Sequence, residues 1–100
     1  MKAAGQLAIP VPHAEIAEFC RRWGVRKLSF FGSVVRDDFG PDSDVDVLVE
    51  FQEGKTPGLK IISMENELAA LLGREVDLVI TESLNRWIRG RVLREAVEQY

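Results

Sequence analysis

Apolar residues recur at helical spacing in two segments of the chain. The first segment carries its apolar side chains at i, i+3, i+4 and i+7: Ile16, Phe19, Cys20 and Trp23. The second carries a similar set: Ile61, Met64, Leu68, Leu71 and Leu72. Each set forms one stripe on a helix, which predicts two amphipathic helices that pack against a core. Gly24 and Gly73 are placed to end them, and Thr56 with Pro57 predicts the N-cap and first residue of the second.

Three other segments have the composition and spacing of strands. They are V-R-K-L-S-F-F (25–31), D-V-D-V-L-V-E-F (44–51) and R-E-V-D-L-V-I (74–80). In the second strand one face carries Val45, Val47, Val49 and Phe51, and the other carries Asp44, Asp46, Leu48 and Glu50. The third strand is apolar except for Asp77, which predicts a central strand that is covered on both faces.

The last segment, 83–100, predicts a helix or a broken pair of helices in which Gly90 marks a bend. Its expected core-facing residues are Leu84, Trp87, Ile88, Val92, Ala96 and Val97. The order of elements predicts an α/β (α+β) fold with a small mixed sheet flanked by helices. Because Pro10 and Pro12 disfavour regular structure, residues 1–12 are expected to be a flexible lead-in and residues 13–100 a single domain.

Composition narrows the classes of partner. The 100 residues carry a net charge of −3, which argues against broad nucleic-acid binding because that needs a basic face. No apolar run approaches the roughly 20 residues that span a bilayer, so no membrane partner is expected. Cys20 is the only cysteine, which excludes a disulfide framework and favours a cytoplasmic location.

Two aspartates flank Val45 at the start of the second strand. Strand residues i and i+2 point to one side, about 6.5–7 Å apart, so Asp44 and Asp46 project together. Two carboxylates this close are unfavourable unless a proton or a cation neutralises them, and carboxylate oxygens suit Mg²⁺ or Mn²⁺. Asp77 would complete a three-carboxylate site if its strand lies beside the second one. The alternatives are a turn or cap role for the pair and a solvent-facing edge position for Asp77.

A Gly-Ser pair follows the first strand. Gly32 allows a sharp turn and a close approach of the backbone to a ligand, and Ser33 can open a short helix, S-V-V-R-D-D (33–38). Free backbone N–H groups at such a start suit phosphate oxygens, and Arg36 lies one turn further on. The alternative is that Ser33 only caps its own helix.

Together these residues match a known pattern. The spacing G-S-x10-D-x-D, the wider stretch F-G-S-x-x-R-x-D-x-x-x-x-S-D-x-D-V-x-V and the V-D-L-V segment at Asp77 are all present. The chain from about residue 14 to 100 resembles the minimal nucleotidyltransferases of the DNA polymerase β superfamily. Its end, V-L-R-E-A-V-E-Q-Y, is similar to the C-terminal helix of that family. The resemblance implies a polymerase-β-like nucleotidyltransferase core.

The resemblance also implies a chemistry. Family members use a nucleoside triphosphate, commonly ATP, with Mg²⁺, and transfer a nucleoside monophosphate to an acceptor. Asp44 and Asp46 would bind two ions (Mg²⁺ or Mn²⁺), and Asp77 would bind the catalytic ion and help to activate the acceptor hydroxyl. Gly32, Ser33 and Arg36 would hold the nucleotide.

Small members of the family are typically encoded with a HEPN-domain protein that resembles an RNase toxin. The resemblance therefore implies an antitoxin that adenylylates a tyrosine of its partner in a type VII-like pair, within a hetero-oligomer. A non-catalytic antitoxin that neutralises its partner by binding is the alternative. A small-molecule transferase is less favoured, since 100 residues leave little for an acceptor domain.

Overall fold

The computed structural model describes residues 9–36 and 39–100. Within these residues the helices are α1 (His13–Trp23), α2 (Ile61–Leu72) and α3 (Arg86–Glu95). The strands are β1 (Val25–Phe31), β2 (Val45–Phe51), β3 (Val76–Ile80) and β4 (Val97–Glu98). Short 3₁₀ turns cover Gly32–Val35, Gly58–Lys60 and Thr81–Ser83. Most of the lead-in expected over 1–12 lies outside the described residues, and so do positions 37–38 of the short helix expected over 33–38.

The described strands form one mixed sheet in the order β3-β2-β1-β4. β1 pairs antiparallel with both β2 and β4, whereas β2 pairs parallel with β3. The parallel pair is connected through α2, as a crossover between parallel strands requires. The α/β fold with a small mixed sheet flanked by helices is therefore confirmed.

One face of the sheet packs against α1 and α2 and forms the main core. Its fully buried members include the following side chains: Ile16, Phe19, Leu28, Phe30, Val45, Val47, Val49, Met64 and Leu68. The alternation predicted for β2 is confirmed, because all of its valines have no exposed surface. The predicted ends of α1 and α2 are also confirmed, since Gly24 and Gly73 adopt left-handed φ angles of 71° and 67°.

The opposite face carries a smaller apolar cluster under α3. Leu48 of β2 packs there with Leu84 and Val92. Phe31 and Val79 add partly buried surface. This face is only partly covered, and it is the face on which Asp46 lies. Among the described residues, no helix has the length and hydropathy needed to cross a membrane.

The predicted central position of β3 is wrong. Among the described strands, β3 pairs with β2 alone and lies at the edge of the sheet, and Asp77 within it is exposed. The Glu65 carboxylate of α2 accepts the N–H of Leu78 at 2.9 Å, which satisfies part of the strand edge. The strand is rich in apolar residues because Val76 and Leu78 face the main core while Val79 faces the smaller cluster.

The prediction for the final segment is wrong in two respects. The helix runs through Gly90 but stops at Glu95, and the chain then forms β4 against β1. Trp87 and Ile88, expected in the core, are 79% and 40% exposed. Helical periodicity cannot reveal that the free edge of β1 offers backbone hydrogen bonds to the end of the chain.

The predicted start of α2 is also wrong. The helix begins at Ile61, after the 3₁₀ turn Gly58–Lys60, and not at Thr56 and Pro57. Gly58 in this turn has a left-handed φ of 62°, which a regular α-helix does not accommodate. The interruption moves the first helical residue to Ile61.

Candidate active site

Asp46 and Asp77 lie side by side on neighbouring strands. The parallel register of β2 and β3 pairs Asp46 with Asp77 directly, so both carboxylates leave the same face of the sheet. Asp44 immediately precedes β2 and, by the period of a strand, projects toward the same side. The strand adjacency on which the three-carboxylate interpretation depends is therefore present.

The electrostatics of this face centre on Asp46. Burial is the largest cause that raises the pKa of the Asp46 carboxyl, followed by the negative charges of Asp77 and then Asp44. Arg36 opposes this by favouring the ionised form, whereas Glu95 adds to the rise in pKa. Negative charge around Asp46 thus exceeds what the nearby cationic side chain compensates.

The backbone of Gly32 lies directly against the Asp46 side chain. Gly32 has a φ of +75°, and a Cβ at this position would overlap Oδ2 of Asp46. Any other residue would be strained and would also displace the carboxylate. Glycine is therefore required here for two independent reasons, and the turn after β1 is brought to the side of Asp46.

The N–H of Gly32 and the guanidinium of Arg36 point to a common acceptor. Gly32 N donates to Oε1 of Glu95 over 2.6 Å, and Nη1 of Arg36 donates to the same oxygen over 2.9 Å. These groups and Asp46 line an open cleft of about 390 Å³, which Arg91 of α3 also borders. The structure brings Gly32, Arg36 and Asp46 together as predicted, with half-buried Ser33 in the same 3₁₀ turn.

Sequence reasoning missed Glu95. This residue reaches the site from the end of α3, 63 positions after Gly32. The only signal in the sequence is its place in the R-E-A-V segment near the chain end, and that segment has no spacing relation to the Gly-Ser pair. Only the packing of α3 across the sheet reveals the contact.

Arg74 was also missed, and it holds the loop that leads to Asp44. Its guanidinium stacks over the Phe39 ring at 4.6 Å and donates to the carbonyls of Gly40 and Pro41 at 3.0 and 3.2 Å. Arg74 and exposed Asp44 border a second open cleft of about 590 Å³. Arg74 thereby ties the aspartate loop to the start of β3, the strand that carries Asp77.

The carboxylates suit a divalent cation in their chemistry and charge. Mg²⁺ and Mn²⁺ prefer hard oxygen ligands, and the excess of negative charge around Asp46 would favour a bound cation. In the conformation of residues 9–36 and 39–100, however, no three His, Cys, Asp or Glu side chains are close enough together to hold an ion. The metal ligand set of Asp44, Asp46 and Asp77 therefore stays a prediction.

Comparisons with known proteins identify the family and the fold. The model of the family described as nucleotidyltransferase domain matches residues 14–99. Protein adenylyltransferase MntA from Thermococcus cleftensis is 51% identical over 81 residues, which cover 80% of each protein. A solved structure described as a minimal nucleotidyltransferase superposes with a TM-score of 0.73 at 39% identity, covering 85% of this chain and 86% of that one.

A more distant match concerns the fold alone. It is a complex of a tri-AMPylated HEPN toxin from Shewanella oneidensis with an MNT antitoxin, with a TM-score of 0.64 at 20% identity. The match covers 88% of this chain and 68% of that one. The family match spans the Gly-Ser turn and all three aspartates, in the elements that the fold brings together. The chain belongs to the nucleotidyltransferase domain family.

Proposed function

We propose that this protein transfers AMP from ATP to a tyrosine of a HEPN-domain toxin, with Mg²⁺, and thereby acts as its antitoxin. The observation that carries the proposal is the contact of three elements on one face of the sheet. Asp46 of β2 lies beside Asp77 of β3, and the Gly32 backbone lies against Asp46. The similarity to an adenylyltransferase at 51% identity supports adenylyl transfer as the reaction.

The proposed reaction exchanges one phosphorus–oxygen bond for another. The acceptor hydroxyl oxygen attacks the α-phosphorus of ATP, the bond to the β-phosphate bridging oxygen breaks, and pyrophosphate leaves. Asp77, exposed on the edge strand, accepts the hydroxyl proton in this proposal. Gly32, Ser33 and Arg36 hold the phosphates through N–H and O–H donors and positive charge.

Asp44 and Asp46 would hold two divalent ions, with Asp77 a further ligand of one of them. Such ions would neutralise the charge of the phosphates and of the carboxylates themselves. The raised pKa of Asp46 supports this role, because its ionised form is disfavoured by the surroundings that the described residues provide. The same argument holds for Mn²⁺, which also prefers oxygen ligands.

The partner assignment rests on a more distant likeness. An MNT antitoxin of the same fold forms a complex with an AMPylated HEPN toxin, and that fold covers 88% of this chain. By this likeness, the partner supplies the acceptor hydroxyl and the two proteins form a hetero-oligomer. A cytoplasmic location, with no membrane or nucleic-acid partner, stays a prediction from the sequence.

A direct test mixes the protein with the product of its neighbouring gene, Mg²⁺ and ATP labelled on the α-phosphate. We expect label on the partner, and its loss in an Asp44→Asn/Asp46→Asn double variant by at least about 10²-fold in rate. Asp42→Asn, which removes an exposed charge beside the site, is the matched control and should keep the activity.

The second candidate function is neutralisation by binding alone. The open clefts that Asp46 and Asp44 border are compatible with it, because a partner could cover them without chemistry. The double variant separates the two functions. The catalytic proposal is wrong if the double variant stays folded and still suppresses toxicity, and if neither the wild type nor the variant transfers label to the partner.

A further inference from the structure

A carboxylate occupies the donors that the proposed triphosphate site would use. Glu95 accepts the N–H of Gly32 at 2.6 Å and the Nη1 of Arg36 at 2.9 Å through one oxygen atom. Both donors belong to the group that we expect to bind phosphate. An anionic acceptor held by a backbone N–H and a guanidinium has the same recognition chemistry as a phosphate oxygen.

The contact is built into the fold. The Glu95 side chain is 23% exposed and is held at the last turn of α3, just before the chain enters β4. Its charge is close enough to Asp46 to contribute to the raised pKa of that carboxyl. Glu95 therefore adds a negative charge to a site that already has an excess, and its two hydrogen bonds offset part of that cost.

We infer that Glu95 is a further determinant of nucleotide affinity, because its carboxylate holds the Gly32 N–H and Arg36 until a triphosphate displaces it. The inference rests on the proposed function. The Gly32 N–H can donate either to Glu95 or to a phosphate oxygen, but not to both. Binding of the triphosphate therefore requires that the Glu95 contacts break, which costs free energy. The apparent dissociation constant for the triphosphate equals the intrinsic one divided by the fraction of molecules in which these donors are available.

Arg91 offers a new partner to the displaced carboxylate. It lies four residues before Glu95 on α3 and borders the same cleft. Side chains at i and i+4 are neighbours on a helix surface, so a change of the Glu95 rotamer can exchange Arg36 for Arg91. The exchange would make the Nη1 of Arg36 available to the phosphates and leave the charge of Glu95 paired.

The test is ATP binding by Glu95→Gln, measured by titration calorimetry with Mg²⁺ present. Glutamine keeps an acceptor oxygen for Gly32 and Arg36 but removes the negative charge that competes with the triphosphate. We expect the dissociation constant for ATP to fall by at least about fivefold. Glu98→Gln is the matched control, since Glu98 pairs with Lys27 at 3.2 Å on the surface, and it should bind ATP as the wild type does.

The backbone amide resonance of Gly32 supplies a second readout. If Glu95 had only a structural role, a change in this resonance would not accompany a change in ATP affinity. In the nucleotide-free protein, Glu95→Gln should shift this resonance upfield, because a neutral acceptor replaces a charged one at 2.6 Å. Glu95→Ala serves as a second variant, with a larger gain in affinity expected and thermal unfolding to verify the fold.

The outcomes separate the inference from the function on which it rests. If the wild type binds ATP but the folded variants Glu95→Gln and Glu95→Ala bind it equally or more weakly, the inference is wrong. Nucleotidyl transfer as the proposed function would then still stand. An unmoved Gly32 resonance in Glu95→Gln would overturn it as well. Lack of ATP binding by wild type and all variants would overturn the proposed function, and this inference with it.

Discussion

The two faces of the sheet use the same strand in opposite ways. On one face, Val45, Val47 and Val49 of β2 are fully buried against the helices α1 and α2. On the other, Asp46 alternates with them and is held near Asp77, with a pKa raised by burial and by neighbouring carboxylates. The core face supplies the stability that lets the site face keep an unfavourable cluster of charges.

The difference arises from a period of two. Because successive side chains of a strand point to opposite faces, one short segment can serve packing and chemistry without conflict. A shift of the β1–β2 pairing by one residue would place the aspartates in the core, so the buried valines also determine which way Asp46 points. Stability and site geometry are therefore coupled through register, and variants on each face should behave differently.

The largest expected effect is on the core face. Phe30→Ala removes a fully buried ring of β1 and should lower the free energy of unfolding by about 3–5 kcal/mol. Urea denaturation measures this. Phe31→Ala is the control, because Phe31 is the next residue, lies on the site face and is only partly buried. Equal losses in the two variants would contradict the proposed division between the faces.

Gly32→Ala should damage the site more than the fold. The left-handed φ of +75° costs a side chain about 1–2 kcal/mol, and the new Cβ would displace the Asp46 carboxylate from its present position. We expect loss of adenylyl transfer at moderate cost in stability. Labelled-ATP assays and denaturation curves measure the two effects.

Gly54→Ala is the matched control for that variant. Gly54 has a nearly identical φ of +76°, but a Cβ added there would have no atom within 4 Å. It should therefore show the same backbone cost and keep the activity. If both variants lose activity equally, the contact between Gly32 and Asp46 is not what the site requires.

Asp46→Asn should stabilise the fold while it abolishes activity. The pKa of Asp46 is raised above its ordinary 3.8, so the folded state binds this proton more tightly than the unfolded chain does. Wild-type stability therefore falls as the pH rises through the interval between 3.8 and the folded-state pKa, and asparagine removes this loss. We expect a higher melting temperature than wild type at pH 7.

The gain should disappear at acidic pH. Below about pH 3.8 the wild-type carboxyl is protonated in both states, so the two proteins should differ little there. Thermal unfolding from pH 3 to pH 8 checks this, with Asp42→Asn at an exposed turn as the control. A variant that is less stable than wild type at pH 7 would show that the charges on the site face are compensated.

The smallest expected effect is at the outer surface of α3. Trp87 is 79% exposed, with the Arg86 guanidinium 5.0 Å from its ring centroid. Trp87→Ala should change the free energy of unfolding by less than about 0.5 kcal/mol, as is usual for exposed positions. A loss above about 2 kcal/mol in chemical denaturation would mean that Trp87 packs in the core, as the helical pattern predicts.

Local patterns were sufficient for much of the fold and of the site. The stripes of α1 and α2, the alternation of β2 and the glycine ends of the helices follow from short-range periodicity and backbone freedom, which act within a few residues. The candidate site residues Gly32, Asp46 and Asp77 could be named in advance for the same reason. Each of them breaks a local apolar pattern at a strand or turn.

Such short-range patterns could not predict the contacts between distant parts of the chain. The edge position of β3, the strand β4 and the contact of Glu95 with Gly32 depend on which backbone edges and faces are left free once the core has formed. The sequence by itself determined α1, α2 and the strands β1 to β3, together with the candidate carboxylates and the Gly-Ser pair that lie on or beside these strands. The tertiary structure decided their neighbours, because strand pairing and helix docking join residues whose separation along the chain leaves no periodic signal.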